Sequence, residues 1–144
     1  LEKIAKGLGL TAPAVIFAGI VPPEEVADWY RVGDLFVSAS TSETQGLTYI
    51  EALASGVPAL CRADPCLEGV IQEGENGWQY HSSTEFREKL DNFLAHPEER
   101  SARRKAAMES VKQFSAEHFA AHMESIYCQQ IVRRSAVSEE GVSA

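Results

Sequence analysis

None of the 144 residues belongs to an apolar run near the roughly 20 residues that a helix needs to cross a bilayer, although 44% of the chain is hydrophobic. One soluble globular domain with a real core is therefore expected. Basic residues are few, 13 Lys and Arg against 21 Asp and Glu, for a formal charge of -8. Without a basic face to meet a phosphate backbone, a nucleic-acid partner is excluded. The three cysteines, Cys61, Cys66 and Cys128, are odd in number and lack zinc-type pairing. No basic-then-apolar secretory pattern opens the chain, so a reduced, cytoplasmic setting is expected. Cys61 and Cys128 read as core residues and Cys66 as the only loop thiol. Internal repeats are lacking as well.

What is present is a regular alternation. Ala14 to Ala18, Leu35 to Ala39 and Val57 to Cys61 are short apolar runs of the length of buried strands. Between them, Pro22 and Pro23 open a helical pattern over Glu24 to Val32, and Leu47 to Ser55 forms a second. In the latter, Leu47, Ile50, Leu53 and Ala54 share one face, with Gly56 as the stop and Pro58 beyond it. Continuous rather than alternating apolar strands predict a parallel sheet covered on both faces, hence an α/β fold. A short helix around Gly69 to Glu73 and a turn at Glu75 to Gly77 lead to a final edge strand with Trp78 and Tyr80. Both Trp29 and Trp78 read as core.

After Tyr80 the pattern becomes helical. Ser82 and Glu85 have capping-box spacing, and Phe86, Leu90, Phe93 and Leu94 follow at helical intervals. Pro97 starts a further run that breaks near Phe114 and Ser115. The organisation expected is a Rossmann-like sheet domain over 1–82, incomplete at its N-terminal side, then C-terminal helices over 83–134 and a flexible tail over 135–144. Leu1 to Leu10 reads as a helix with no cap before it, as in a fragment.

In open parallel sheets ligands bind beyond the carboxyl ends of the strands. Ser38 to Gly46 is such a loop, rich in hydroxyls and entering its helix through a glycine. The amides near Gly46, Leu47 and Thr48 would favour an anion such as phosphate. Two carboxylates, Glu43 and Glu51, flank that position, so the ligand should carry hydroxyls too, because carboxylates repel phosphate and accept hydrogen bonds from diols. A sugar diphosphate attached to ribose combines both groups. Stabilisation of the helix dipole by the same acids, at about 0.3 to 1 kcal/mol, explains the spacing equally well without a ligand.

The segment Ser42-Glu-Thr-Gln-Gly-Leu-Thr-Tyr-Ile-Glu-Ala-Leu-Ala-Ser-Gly-Val-Pro58 resembles the signature of glycosyltransferase family 4, with two glutamates separated by seven residues before a small-residue helix and a Gly-x-Pro stop. Val15 to Val21, Tyr30 to Asp34 and Gly69 to Trp78 extend the similarity over most of residues 8 to 128. The resemblance implies the C-terminal, Rossmann-like half of a retaining GT-B transferase. It implies that Glu43 contacts the hydroxyls of the donor sugar and is the candidate catalytic residue, and that Glu51 holds the ribose hydroxyls. The backbone of Thr44, Gln45, Gly46, Leu47 and Thr48 would meet sugar and diphosphate, and Gly19, Ile20 and Val21 the base. Thr44 and Gln45 depart from the commonest form of the motif and resemble diacylglycerol glucosyltransferases, which implies a glycolipid product.

The resemblance further implies a nucleotide-sugar donor, with UDP as the leading guess, no metal cofactor, and an N-terminal acceptor domain outside this chain. The enzyme would be peripheral at the inner face of the membrane, where its lipid acceptor lies. No Lys or Arg falls between Arg31 and Arg62, so cations for a diphosphate must come from elsewhere. His118 and His122 lie one helical turn apart, but no third ligand has metal-site spacing and no Asp-x-Asp pair exists. Arg103, Arg104, Lys105, Arg133 and Arg134 could favour an anionic membrane, yet Glu98, Glu99 and Glu109 among them fit an ordinary exposed face. Two other functions stay open, a non-catalytic binding or assembly module and a GT-B sugar-nucleotide epimerase; Gln-Gly-Leu in the motif argues against the epimerase.

Overall fold

The computed structural model describes residues 1–42 and 46–140. Three parallel strands, β1 (Phe36–Ser38), β2 (Ala59–Arg62) and β3 (Gly77–Tyr80), form a sheet in the order β1-β2-β3. Six α-helices are found among the described residues: α1 (Glu2–Gly7), α2 (Val26–Val32), α3 (Leu47–Ala54), α4 (Ser83–Ala95), α5 (Arg100–Ser110) and α6 (Ala116–Glu140). The α/β class expected from the alternation is the class observed. The last helix, however, continues past Arg134.

β2 shows why its run is apolar throughout. Ala59 and Cys61 face a cluster with Tyr49, Leu53, Leu67, Val70, Ala107 and Val111. Leu60 faces the opposite side, with Trp78, Tyr80 and Phe93. The middle strand of a three-layer arrangement has no solvent face, so alternation disappears from its sequence. In β3 the approach is closer still, because a Cβ on Gly77 would stand 2.4 Å from the Ala59 carbonyl oxygen. Only a glycine lets the two backbones meet there.

The helix ends follow their local chemistry. α3 closes in a Schellman pair, in which Gly56 N–H donates to Leu53 O and Val57 N–H to Ala52 O, both at 2.9 Å, with Gly56 at φ 78°. At α4, Ser82 Oγ accepts from Glu85 N–H at 3.2 Å and Glu85 Oε2 accepts from His81 N–H at 2.9 Å, a reciprocal cap. α5 is held by cations laid on rings: Arg100 lies over Phe93 and Arg103 over Trp78, at 5.4 and 4.6 Å from the ring centroids. Arg103 also pairs with Glu99 and donates to Gly74 O, so it serves packing rather than a basic surface.

Several expectations are corrected. Ala14 to Ala18 is not a strand. The strand order leaves no strand beside it among the described residues, and Ile16 and Phe17 are exposed. A strand without a ladder partner leaves its N–H and C=O groups to water. The helical turn expected around Gly69 to Glu73 falls earlier, at Pro65–Leu67, where Asp64 accepts from Cys66 N–H at 2.9 Å and fixes a 3-10 start. Trp29 is 45% exposed because α2 lies at the margin of the sheet, whereas Trp78 is buried. Cys128, on α6, is exposed, whereas Cys61 is buried. On α3 the inner face is Tyr49, Ala52 and Leu53, with Leu47 and Ala54 outside.

Asn76, fully buried, joins three segments. Its amide donates to Val70 O at 2.9 Å and Ser110 Oγ at 2.8 Å, while its Oδ1 accepts from Gln72 N–H at 2.8 Å. Asn76→Ala strands those partners and should lower stability by about 2 to 4 kcal/mol in a urea titration. Burial pushes the Cys61 thiol up to about 12, helped by the Glu73 and Cys66 charges. Native protein near neutral pH should therefore label at Cys128 and spare Cys61 until unfolding, as peptide mass spectrometry can read. Because the unfolded thiol ionises first, the Cys61 contribution to stability should fall as pH rises from about 9 to about 12.

Candidate functional site

The site begins where β1 stops. Ser38, its last residue, is tied from three directions: Tyr49 donates its hydroxyl to Ser38 Oγ at 2.9 Å, Ser40 N–H donates to the same oxygen at 3.2 Å, and Tyr80 donates to Ser38 O at 3.2 Å. The chain then passes through a loop and enters α3 at Gly46, which is buried and left-handed at φ 63°, ψ 26°. A Cβ there would stand 3.1 Å from Leu67 Cδ2, so both conformation and space call for glycine.

The first hydrogen bonds of α3 run from Tyr49 and Ile50 N–H to Gly46 O, at 3.0 and 3.2 Å. The amides of Leu47 and Thr48 precede them and lie at the positive end of the helix dipole. Leu47 and Thr48 are exposed, and Glu51 stands exposed in the second turn. The expected contacts Glu43, Thr44 and Gln45 lie outside the described residues. Gly46, Leu47, Thr48 and Glu51 are thus gathered at one helix entrance beyond the carboxyl end of a parallel strand.

Glu51 has a neighbour to which the sequence pattern assigned no role. Tyr30, on α2, donates its hydroxyl to Glu51 Oε2 at 3.3 Å. Burial, then the charge of Glu51 and this hydrogen bond, hold the Tyr30 phenol above its ordinary pKa. The Tyr30 ring stands edge-on to Phe36, centroids 5.7 Å apart, and Phe36 stands edge-on to Tyr49 at 5.5 Å. Tyr30 also lines a hollow of about 260 Å³ with Val21, Val26 and Trp29. Val21 and Glu51, the residues expected at base and ribose, therefore each adjoin the same tyrosine. Of the other two base candidates, Gly19 turns with φ 71° and Ile20 is fully exposed. The signal for Tyr30 lay in the segment Tyr30 to Asp34, whose pattern named the residue but not its partner.

Three arginines of the flanking helices are paired away from this entrance. Arg31 pairs with Asp28 at 2.6 Å, and Arg100 and Arg104 reach Asp34 at 3.1 and 3.9 Å. Among the described residues no group of three or more His, Cys, Asp or Glu side chains is placed to hold a metal ion. His118 and His122 instead line a groove of about 750 Å³ between α3 and α6 with Leu47, Ile50, Phe114 and Phe119. Among the described residues no helix is long and apolar enough to cross a membrane.

Comparison with known proteins places this geometry. The family described as glycosyl transferases group 1 matches residues 1–110. An alpha-monoglucosyldiacylglycerol synthase of Streptococcus pneumoniae is 36% identical over 120 residues, which cover 83% of this chain and 26% of the relative. The enzyme of that name from Acholeplasma laidlawii is 36% identical over 109 residues, 76% of this chain and 27% of its own length. A D-inositol 3-phosphate glycosyltransferase of Streptomyces scabiei is 32% identical over 129 residues, 88% of this chain and 29% of the relative. The chain thus spans about a quarter of the length of the first two. Among solved structures, sucrose-phosphate synthase from Thermosynechococcus elongatus superposes with a TM-score of 0.77 at 26% identity, over 92% of this chain and 34% of that one. The C-terminal domain of a glycosyl transferase group 1 family protein from Francisella tularensis gives 0.65 at 27% identity, over 78% and 58%.

The left-handed entrance is testable on the chain itself. Gly46→Ala should cost about 1 to 2 kcal/mol from the left-handed backbone alone, with any displacement of Leu67 adding to it. Thermal melting followed by circular dichroism would show the loss as a lowered midpoint.

Proposed function

The chain belongs to the group 1 glycosyl transferases, a family of GT-B architecture, and on that premise we propose that it forms the donor-binding half of a retaining hexosyltransferase. The reading rests on one observation above the others: exposed Glu51 lies one turn beyond the amides of Leu47 and Thr48, which have no hydrogen-bond partner among the described residues, at the carboxyl end of β1. The amides suit the diphosphate and the carboxylate suits a diol, so a single helix entrance reads both parts of a nucleotide sugar.

In this proposal Glu51 accepts from the ribose hydroxyls and Glu43 from those of the donor sugar, where it is the candidate catalytic residue. The backbone of Thr44 to Thr48 meets sugar and diphosphate, and the turn Gly19 to Val21 lines the base, proposed as uracil. As the glycosidic bond breaks, charge develops on the leaving phosphate, and amides already aimed at it stabilise that charge without reorganisation. No metal is assigned to this step. The neutralising cations and the acceptor pocket are assigned to parts of the enzyme outside this chain.

The names of the first two relatives, which refer to diacylglycerol, support a lipid acceptor, and with it a peripheral position at the cytoplasmic membrane face. Calorimetric titration of the complete polypeptide with UDP and UDP-glucose tests the reading. Glu51→Ala should weaken both by about 10- to 100-fold, the equivalent of one charge-assisted hydrogen bond or more. An unchanged affinity would remove the ribose role.

A further inference from the structure

An exposed glutamate on a helix surface ordinarily samples many rotamers, and a carboxylate that must meet two adjacent hydroxyls gains from being held in one. Glu51 is exposed, yet one of its oxygens has a partner from another helix. That partner is itself constrained. The Tyr30 ring rests edge-on against Phe36 of β1, which rests edge-on against the fully buried Tyr49 of α3. Tyr49 in turn is bonded to Ser38 at the end of β1. A row of three rings thus runs from the core to the surface and ends in a hydroxyl directed at Glu51 Oε2.

We propose that Tyr30 is a positioning residue for the nucleotide, orienting the Glu51 carboxylate toward the ribose diol. The inference rests on the ribose role of Glu51 stated above. The tyrosine occupies one acceptor site on Oε2 and sets the plane of the carboxylate, leaving Oε1 and the second acceptor site of Oε2 for two hydroxyls. At 3.3 Å the bond is longer than the usual hydroxyl-to-carboxylate separation, so it has about 0.5 Å in which to shorten when the diol engages. Tyr30 also forms one wall of the hollow with Val21, which makes it the residue between the parts of the site assigned to base and to ribose. The device selects ribonucleotides, because a nucleotide lacking the diol gains nothing from an oriented acceptor.

The test compares UDP with 2′,3′-dideoxy-UDP by calorimetry on the complete polypeptide, in the wild type, Tyr30→Phe, Glu51→Gln and the double variant. Phenylalanine keeps the ring contact with Phe36 and removes only the hydroxyl, and melting curves establish that each variant is folded. Tyr30→Phe is expected to weaken UDP by about 3- to 10-fold, the effect of one hydrogen bond, and to leave the dideoxy nucleotide unchanged. In the Glu51→Gln background the additional loss should shrink to less than about 2-fold. An equal loss for both nucleotides would mean a merely structural tyrosine and would overturn the inference, as would no loss for either. If the wild type itself fails to distinguish the two nucleotides, the ribose role of Glu51 falls and this inference falls with it. If the wild type distinguishes them and Tyr30→Phe does so equally, the tyrosine role alone falls.

Discussion

Tyr49 holds together the two ends of the loop on which the site depends. Its ring is fully buried against Phe36, and its hydroxyl meets Ser38, the residue at which β1 becomes loop. The residue itself lies in the first turn of α3, where that loop ends. One side chain therefore sets the distance from strand exit to helix entrance. A second phenol, Tyr80 of β3, secures the Ser38 carbonyl from across the sheet. Buried hydroxyls lose water on folding and must find partners, so an arrangement with both phenols satisfied at one serine is self-consistent in a way that a single displaced strand would break.

The sheet supplies the rigidity behind this junction. β2 is buried on both faces, and the β2–β3 approach at Gly77 leaves no room for a side chain. Asn76, immediately before β3, satisfies its buried amide by linking the preceding loop to the end of α5. α5 is then drawn onto the structure by Arg100 and Arg103 over aromatic rings and by the pairing of Arg100 with Asp34, just before β1. Forces that look like surface electrostatics thus act at the margin of the core. These arginines lie toward the amino ends of the strands, at Asp34 before β1 and Gly74 before β3, away from the carboxyl-end site.

That electrostatic setting gives the proposed chemistry its character. The exposed Glu51 carboxylate beside the first amides of α3 makes the proposed site poor for a bare phosphate and suited to a ligand that presents hydroxyls and phosphate in sequence. Tyr30 adds to the same logic, since its phenol, kept protonated by burial and by Glu51, remains a donor across the physiological range. Family membership shows a glycosyl transferase, and the nucleotide-sugar donor is the proposal drawn from this geometry.

The α/β class, the parallel strands expected at 35–39 and 57–61, a final edge strand with Trp78 and Tyr80, the reciprocal cap of α4 and the glycine entrance to α3 were all legible in the sequence, because each arises from local periodicity or from the backbone freedom of one residue. The seventeen residues from Ser42 to Pro58 were likewise enough to identify the family. Tertiary structure alone decided which apolar residues became core. Leu47 and Trp29 share the composition of buried residues but lie outward, because the face of α3 is selected by Tyr49 meeting Phe36 and Ser38, and α2 lies at the sheet margin. Ala14 to Ala18 has the composition of a strand but no strand partner beside it among the described residues, and a ladder cannot be read from one strand. The pairing of Tyr30 with Glu51 joins residues 21 positions apart through a ring contact on β1. Periodicity reports how a segment faces its own axis, and only packing brings two such faces together.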